Sequence, residues 1–267
     1  MVNLFGAGFI GGNYAKLFPC TVNEKYDLIP HLDNVNNLLY LISTVDNYHL
    51  KSNPYIDIDT NLTLLIRVLE NFRLDPRSKD VVFNFASSWF VYGEADLPAH
   101  EKSYCNPIGF YSITKRTAEQ LLISYCNTYN LKYRILRFAN VLGPGDKKVS
   151  KKKNALTYII NEMKHNRPVE LHSNGDFVRD YMHVNDVCSA VDLVMKRGDT
   201  NSIYNIGNGT PVKFSDIINH IISLGSTSSI TNICSPVQSM YMDTTKLKLL
   251  GYSPTYSIND IIEELFY

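Results

Sequence analysis

The chain is predicted to be α/β: a doubly wound parallel sheet, trimmed at one edge, with a small C-terminal α/β lobe. Three features lead there. Short apolar blocks alternate with longer stretches of helical period, as in a parallel sheet covered by helices. The blocks are continuous runs, the pattern of strands buried on both faces. Glycines cluster between the first block and the first helical stretch, where a strand must turn sharply into a helix.

Taken in order, Val2-Asn3-Leu4-Phe5 forms the first strand, and Gly6-Ala7-Gly8-Phe9-Ile10-Gly11 turns into a helix over residues 11–17. Cys20-Thr21-Val22-Asn23 reads as a short second strand. Leu38-Leu39-Tyr40-Leu41-Ile42, Val81-Val82-Phe83-Asn84-Phe85 and Tyr133-Arg134-Ile135-Leu136-Arg137 supply three more. Helices are expected over 59–72 and 111–129, the latter with Ile113, Ala118, Leu121, Leu122 and Tyr125 on one buried face. After Gly143-Pro144-Gly145-Asp146 the texture changes to a lysine-rich, solvent-facing loop over 147–153, a helix over 156–165 and short mixed segments. A boundary is expected there, with domains over 1–145 and 146–267.

Composition limits the function. At 267 residues, 45% hydrophobic and 19% charged, the chain can bury a substantial core. Lys+Arg 26 balance Asp+Glu 26, so no global field draws it to nucleic acid or anionic lipid, and an anionic ligand must be gripped locally. Cysteines 20, 105, 126, 188 and 234 are odd in number and contain no C-x-x-C pair. With no leader peptide evident, the expectation is reduced thiols, a cytoplasmic location and no metal. No apolar stretch approaches the roughly 20 residues needed to span a bilayer.

The glycine turn has a chemical reading. Gly6 suits the tight turn, Gly8 lets the backbone approach a pyrophosphate, and Gly11 lets helix and strand pack closely. Phe9 and Ile10 lie at the positive helix end, where N–H groups meet an anion. This predicts a dinucleotide. Its adenosine ribose needs an acid beyond the second strand, for which Glu24, Asp27 and Asp33 are candidates, with Glu24 at the strand end. No arginine nearby suits a 2′-phosphate, which favours NAD over NADP.

Tyr111 and Lys115 stand at i and i+4, on one helical face. An ammonium beside a phenol favours phenolate, a base for a sugar hydroxyl proton. Ser87 and Ser88 leave a strand at its carboxyl end, where ligands sit in open α/β sheets; Ser88 could bond the hydroxyl being oxidised. Arg179, after the turn at Asn174-Gly175, suits a diphosphate.

These landmarks resemble the extended short-chain dehydrogenase/reductases, specifically the NAD-dependent nucleotide-sugar epimerase/dehydratase family. The resemblance extends over nearly the whole chain, through Asn61, Val91-Tyr92-Gly93, Arg137-Phe138-Ala139-Asn140, Arg179-Asp180-Tyr181, Tyr204-Asn205-Ile206-Gly207-Asn208 and Asp243-Thr244-Thr245-Lys246. It implies a Rossmann-like domain over 1–145 and a mainly nucleotide-sugar-binding lobe over 146–267. It makes Tyr111 the catalytic base, with Lys115 holding it and the nicotinamide ribose, and Ser88 assisting. Ser43, Thr44 and Asn61 would border the cofactor, and Asn140 and Arg179 would contact the substrate diphosphate. It also implies NAD reduced and reoxidised within one turnover, a nucleotide-diphosphosugar substrate, and a homodimer. The chain departs from the pattern in having too few residues between Gly11 and Leu38 for two β-α units. Phe5 stands where a first glycine is usual, and Gln238 where an arginine often occurs.

Retaining 4,6-dehydratases of the family carry Asp-Glu after the serine, whereas Trp89 and Phe90 stand here. A 4-epimerase needs only Ser88, Tyr111, Lys115 and NAD, but its keto sugar must turn over in the pocket. Trp89 and Phe90 oppose that turning if they face the sugar, which favours an atypical 4,6-dehydratase on a UDP-hexose or UDP-GlcNAc, with or without inversion at C5. Tyr111, Glu94 and Cys105 are then candidates for the elimination acid or base. The alternatives are a UDP-sugar 4-epimerase, a 4-keto-sugar reductase, and an inactive dinucleotide-binding scaffold.

Overall fold

The computed structural model describes residues 1–23, 26–44, 51–146 and 154–267. Its centre is a six-stranded parallel sheet: β1 (Val2–Phe5), β2 (Cys20–Asn23), β3 (Asn37–Tyr40), β4 (Val82–Ser88), β5 (Lys132–Phe138) and β10 (Ser202–Ile206), in the order β10-β5-β4-β3-β1-β2. From β1 the chain builds outward to β2, then crosses back to β3 on the other side. That reversal opens a crevice at the carboxyl ends of β1 and β3, where open α/β sheets take their ligands.

Both faces of the sheet are covered, because successive strand residues point opposite ways. Leu4, Leu39 and Leu136 pack with α1 (Phe9–Leu17) and α6 (Val184–Arg197) on one face. Phe5, Leu38, Tyr40, Phe83 and Ile135 pack on the other, with α3 (Leu64–Leu74) and α4 (Phe110–Tyr129). Continuous apolar strands need two such layers to stay dry. The edge is trimmed as expected: between β1 and β3 there is room for β2 alone.

The helix expected over 59–72 is a π-helical turn over Asp59–Thr63 followed by α3, and a short helix α2 (Tyr55–Ile58) leads into it. Ala118 and Leu122 are buried on α4 as expected, whereas Ile113 and Leu121 are exposed. The inward stripe instead runs through Lys115, Ala118, Glu119, Leu122 and Cys126. Its two charged members are admitted because each finds polar partners beneath the sheet's carboxyl edge.

Beyond β5 lie β6 (Asn140–Leu142), α5 (Ala155–Lys164), β7 (Val169–His172), β8 (Val178–Arg179), β9 (Tyr181–His183), β11 (Val212–Lys213), α7 (Phe214–Ser223), β12 (Ile230–Ile233), α8 (Thr245–Leu249) and α9 (Ile258–Phe266). Pairs β6-β9, β7-β12 and β8-β11, with α5, α7 and α9, build the C-terminal lobe around Leu156, Ile160, Phe214 and Ile261. The expected boundary at 145/146 marks where the chain leaves the sheet, but it later returns: α6 covers the sheet and β10 is its edge strand. The lysine-rich loop over 147–153 lies outside the described residues. Among those described, no helix is long and apolar enough to cross a membrane.

Candidate active site

The glycine turn sits at the crevice mouth. Gly6 takes φ +94° and lies against the backbone of Leu41 and Ile42 at the end of β3, so a side chain there meets both strain and collision. A Cβ on Gly11 would strike the carbonyl oxygen of Gly6. Gly8 differs: a Cβ there would meet nothing within 4 Å, and no side chain caps α1 at this residue. Open space over an uncapped helix start beside Phe9 and Ile10 fits a dinucleotide pyrophosphate. Glu24, the expected ribose partner, lies outside the described residues.

On the far side of the crevice, Ser43 and Thr44 follow β3. Ser43 Oγ donates to Asn61 Oδ1 at 3.1 Å, and Thr44 N donates to the same oxygen at 3.1 Å. Asn61 Nδ2 donates to Thr44 Oγ1 (2.9 Å) and to Thr114 Oγ1 (3.1 Å) on α4. Asn61, 2% exposed, thus ties the crevice loop to the helix carrying Tyr111 and Lys115.

Ser88 ends β4 and caps the short turn Trp89–Val91, its Oγ accepting from Phe90 N at 3.3 Å. Tyr111 faces it. Burial raises the phenol above its ordinary value, while the Ser43 and Ser88 hydroxyls act on it in the opposite direction and Asp57 adds to the rise. Lys115 is buried, donates to Ala86 O at 2.6 Å and lies over the Phe85 ring at 4.3 Å. Burial pushes its ammonium down to about 7, against Glu119, which raises it. Lys115 is thus bonded to the backbone of β4, and the hydroxyls acting on the phenol are those of Ser43 and Ser88.

Trp89 and Phe90 are stacked, centroids 4.0 Å apart, and Phe90 stands edge-on to Tyr111 at 6.0 Å. Both line a cavity of about 890 Å³ that runs into the C-terminal lobe past Asn140, Arg179, Phe177 and Leu171. That volume suits a small-molecule ligand. The Arg179 guanidinium lies over Trp89 (5.3 Å) and Phe177 (5.0 Å), and donates to the carbonyls of Val178 (2.9 Å) and Gln238. Gln238 thus supplies a carbonyl to orient Arg179. Asn140 Nδ2 donates to Asp180 O at 3.0 Å.

The structure separates the two outlying elimination candidates from this cavity. Glu94 lines a different cavity of about 570 Å³, with Asp96, His100, Tyr104 and Gln238. Cys105 packs in a cluster with Tyr92, Ala99 and Met240, and burial raises its thiol. Neither residue lines the cavity bordered by Trp89 and Phe90.

Sequence reasoning passed over a buried charge cluster under the site. Glu119, fully buried, accepts from Arg137 Nε (2.9 Å) and a terminal guanidinium nitrogen (2.7 Å), from Arg116 (2.7 Å) and from Ser87 Oγ (2.6 Å). Ser87 and Arg137 sit opposite each other on β4 and β5. The signal was present: Tyr111, Lys115 and Glu119 are spaced i, i+4, i+8, so a carboxylate shares the inward face.

A doubly wound sheet with a glycine turn at its reversal point, and a serine, tyrosine and lysine gathered beside it, defines a Rossmann-like protein of the extended short-chain dehydrogenase/reductase class. The model of the NAD dependent epimerase/dehydratase family matches residues 20–207, and the chain belongs to that family of enzymes. A dTDP-D-glucose 4,6-dehydratase of Dictyostelium discoideum is 26% identical over 266 residues, covering 82% of this chain and 60% of its own length. A putative UDP-glucose 4-epimerase of Methanocaldococcus jannaschii is 31% identical over 219 residues, covering 80% of this chain and 70% of its own. Among solved structures, a UDP-glucose 4-epimerase from Thermotoga maritima has TM-score 0.85 at 21% identity over 99% of this chain and 97% of that one, a likeness of fold.

Proposed function

We propose that the chain oxidises C4 of a nucleotide-diphosphohexose, and that it is an atypical 4,6-dehydratase of a UDP-hexose or UDP-GlcNAc, with or without inversion at C5. The supporting observation is the Trp89–Phe90 stack set edge-on to Tyr111. Two large rings at the reacting end leave the 4-keto sugar little room to present its other face, so elimination across C5 and C6 is favoured over epimerisation.

Bound NAD supplies a hydride acceptor that is restored within the same turnover. Ser88 holds the C4 hydroxyl and Tyr111 takes its proton. Raised by burial, the phenol needs help to work as a base at neutral pH: the Ser43 and Ser88 hydroxyls lower it directly, and Lys115, on the same helical face, is the cation that the family resemblance assigns to it. Arg179, braced between two rings, and Asn140 hold the diphosphate. In the elimination Tyr111 passes the proton taken from the C4 hydroxyl to the C6 hydroxyl, which departs as water, and takes the C5 proton in its place; that proton returns to C5 as the hydride is delivered to C6. Glu94 and Cys105 do not line the Trp89–Phe90 cavity, and Tyr111, edge-on to Phe90, is the candidate for this carrier.

A 4-epimerase is the second reading, supported by the Methanocaldococcus relative. Preference for NAD over NADP, a cytoplasmic location and a homodimer complete the proposal. The dimer is supported by Ile113, Leu121 and Tyr129, exposed on α4.

Proton NMR of the protein with NAD and either UDP-glucose or UDP-GlcNAc in deuterated water tests the reading. A C6 methyl signal with a 4-keto product is expected, and the C5 configuration reports inversion. A C4 isomer without a methyl would make the enzyme an epimerase. Stoichiometric loss of nicotinamide absorbance with a 4-keto substrate would make it a reductase.

A further inference from the structure

Asp57, in α2, is 1% exposed and stands behind the crevice loop. Its Oδ1 accepts from Thr44 Oγ1 at 2.5 Å. Its Oδ2 is buried and has no hydrogen-bond partner among the described residues. A carboxylate held in a dry interior by one neutral donor is costly, and native chains seldom keep such a group without a use for it. Neighbouring polar groups are already committed: Asn61 bonds Thr44 and Thr114, and Ser43 bonds Asn61.

Asp57 stands at the crevice. Thr44, its hydrogen-bond donor, follows β3, whose end at Leu41 and Ile42 lies against the Gly6 turn. The influence of Asp57 also extends to the Tyr111 phenol. Under the function proposed above, on which this inference rests, Tyr111 and the nicotinamide ring must both reach one sugar carbon. The ring bears a positive charge when oxidised and none when reduced. A fixed carboxylate within range therefore favours the oxidised form.

We propose that Asp57 is the counterion of the oxidised nicotinamide, a positioning residue whose carboxylate, anchored by Thr44, biases the site toward NAD⁺ over NADH. It touches neither the sugar nor its protons. The bias keeps the resting enzyme in the form that accepts hydride and so favours return of the hydride to the sugar.

The test compares the affinities of NAD⁺ and NADH for the full chain, followed by the fluorescence of Trp89, the single tryptophan. In Asp57→Asn the ratio of the NADH Kd to the NAD⁺ Kd should fall on the order of tenfold, the effect of one unit charge across roughly 10 Å at an effective dielectric constant of about 20. Asp57→Ser, smaller and equally uncharged, should do the same if the amide packs badly. An unchanged ratio in the Asp57 variants, or loss of both affinities in proportion, overturns the counterion role and leaves Asp57 an anchor for Thr44. Failure of the unaltered chain to bind either form overturns the NAD reading and this inference with it. Binding with an unchanged ratio overturns the inference alone.

Discussion

The ring of Phe90 stands at 90° to that of Tyr111, with centroids 6.0 Å apart, and its other neighbour is Trp89, stacked at 4.0 Å. A bulky aromatic pair therefore borders the phenol, where the proposed function puts the sugar as it gives up its C4 hydroxyl proton. If these rings restrict the keto sugar, Trp89→Ala and Phe90→Ala should each raise the share of C4-inverted product severalfold. Each truncation should cost about 1–3 kcal/mol of stability, since both rings are half-buried. Product ratios by NMR check the first expectation and denaturant melts the second; an unchanged ratio in both variants would remove the rings as the determinant.

Tyr111→Phe keeps the ring against Phe90 and removes only the proton carrier. Turnover should fall about 10²- to 10⁴-fold while NAD affinity holds, as read by steady-state kinetics and titration. Full turnover by the variant would assign the base elsewhere.

Gly8 and Gly11 separate binding from folding. A methyl on Gly8 enters open space, so Gly8→Ala should fold normally and lose cofactor affinity by at least about tenfold. Gly11→Ala drives a methyl into the Gly6 carbonyl and should lower the melting temperature before any effect on binding can be read. Calorimetry with and without NAD distinguishes the two.

Glu119 should be structurally indispensable. Burial alone would raise its carboxyl, but Arg137, Ser87 and Arg116 outweigh burial and hold it below its ordinary value. Glu119→Ala strands two guanidinium groups and should cost about 3–5 kcal/mol at neutral pH. Because the folded-state pKa is depressed, this stabilisation is present above the unfolded-state pKa and is lost as pH falls through the folded one. Urea unfolding of both proteins at neutral and acid pH should show the gap narrowing only in acid.

Lys115 carries a penalty in place of a stabilisation. Its folded pKa, about 7, lies below the ordinary 10.5, so between those values the unfolded chain binds more protons and stability rises with pH. Lys115→Met should therefore be more stable than the unaltered chain at pH near 6, on the order of 2–4 kcal/mol, with the difference shrinking toward pH 10. Unfolding midpoints across that range provide the measurement; a gap independent of pH would mean Lys115 stays charged throughout.

Local order was legible in the residues alone. Strand, glycine turn and helix in succession specify the start of a Rossmann-like sheet, and Cys20–Asn23 is the second strand the sequence suggests. Tyr111 and Lys115 share a face because a helix repeats every 3.6 residues. Such features depend on neighbours a few positions apart, and backbone geometry fixes them. The family resemblance rests on the same kind of signal, short motifs in a fixed order.

Tertiary structure decided what depends on contacts between distant segments. That β10 returns to pair with β5, that Glu94 and Cys105 do not line the Trp89–Phe90 cavity, and that Asp57 stands behind Thr44 with an oxygen unpaired among the described residues are matters of packing. So is the Ser87–Glu119–Arg137 cluster, which joins two strands and a helix. Whether a charge is buried, and which partner answers it, follows from the dielectric and geometry of the assembled interior. The sequence alone determined an α/β chain with a dinucleotide turn and a Tyr-Lys helix; the fold decided which side chains surround the phenol, and with them the chemistry the site favours.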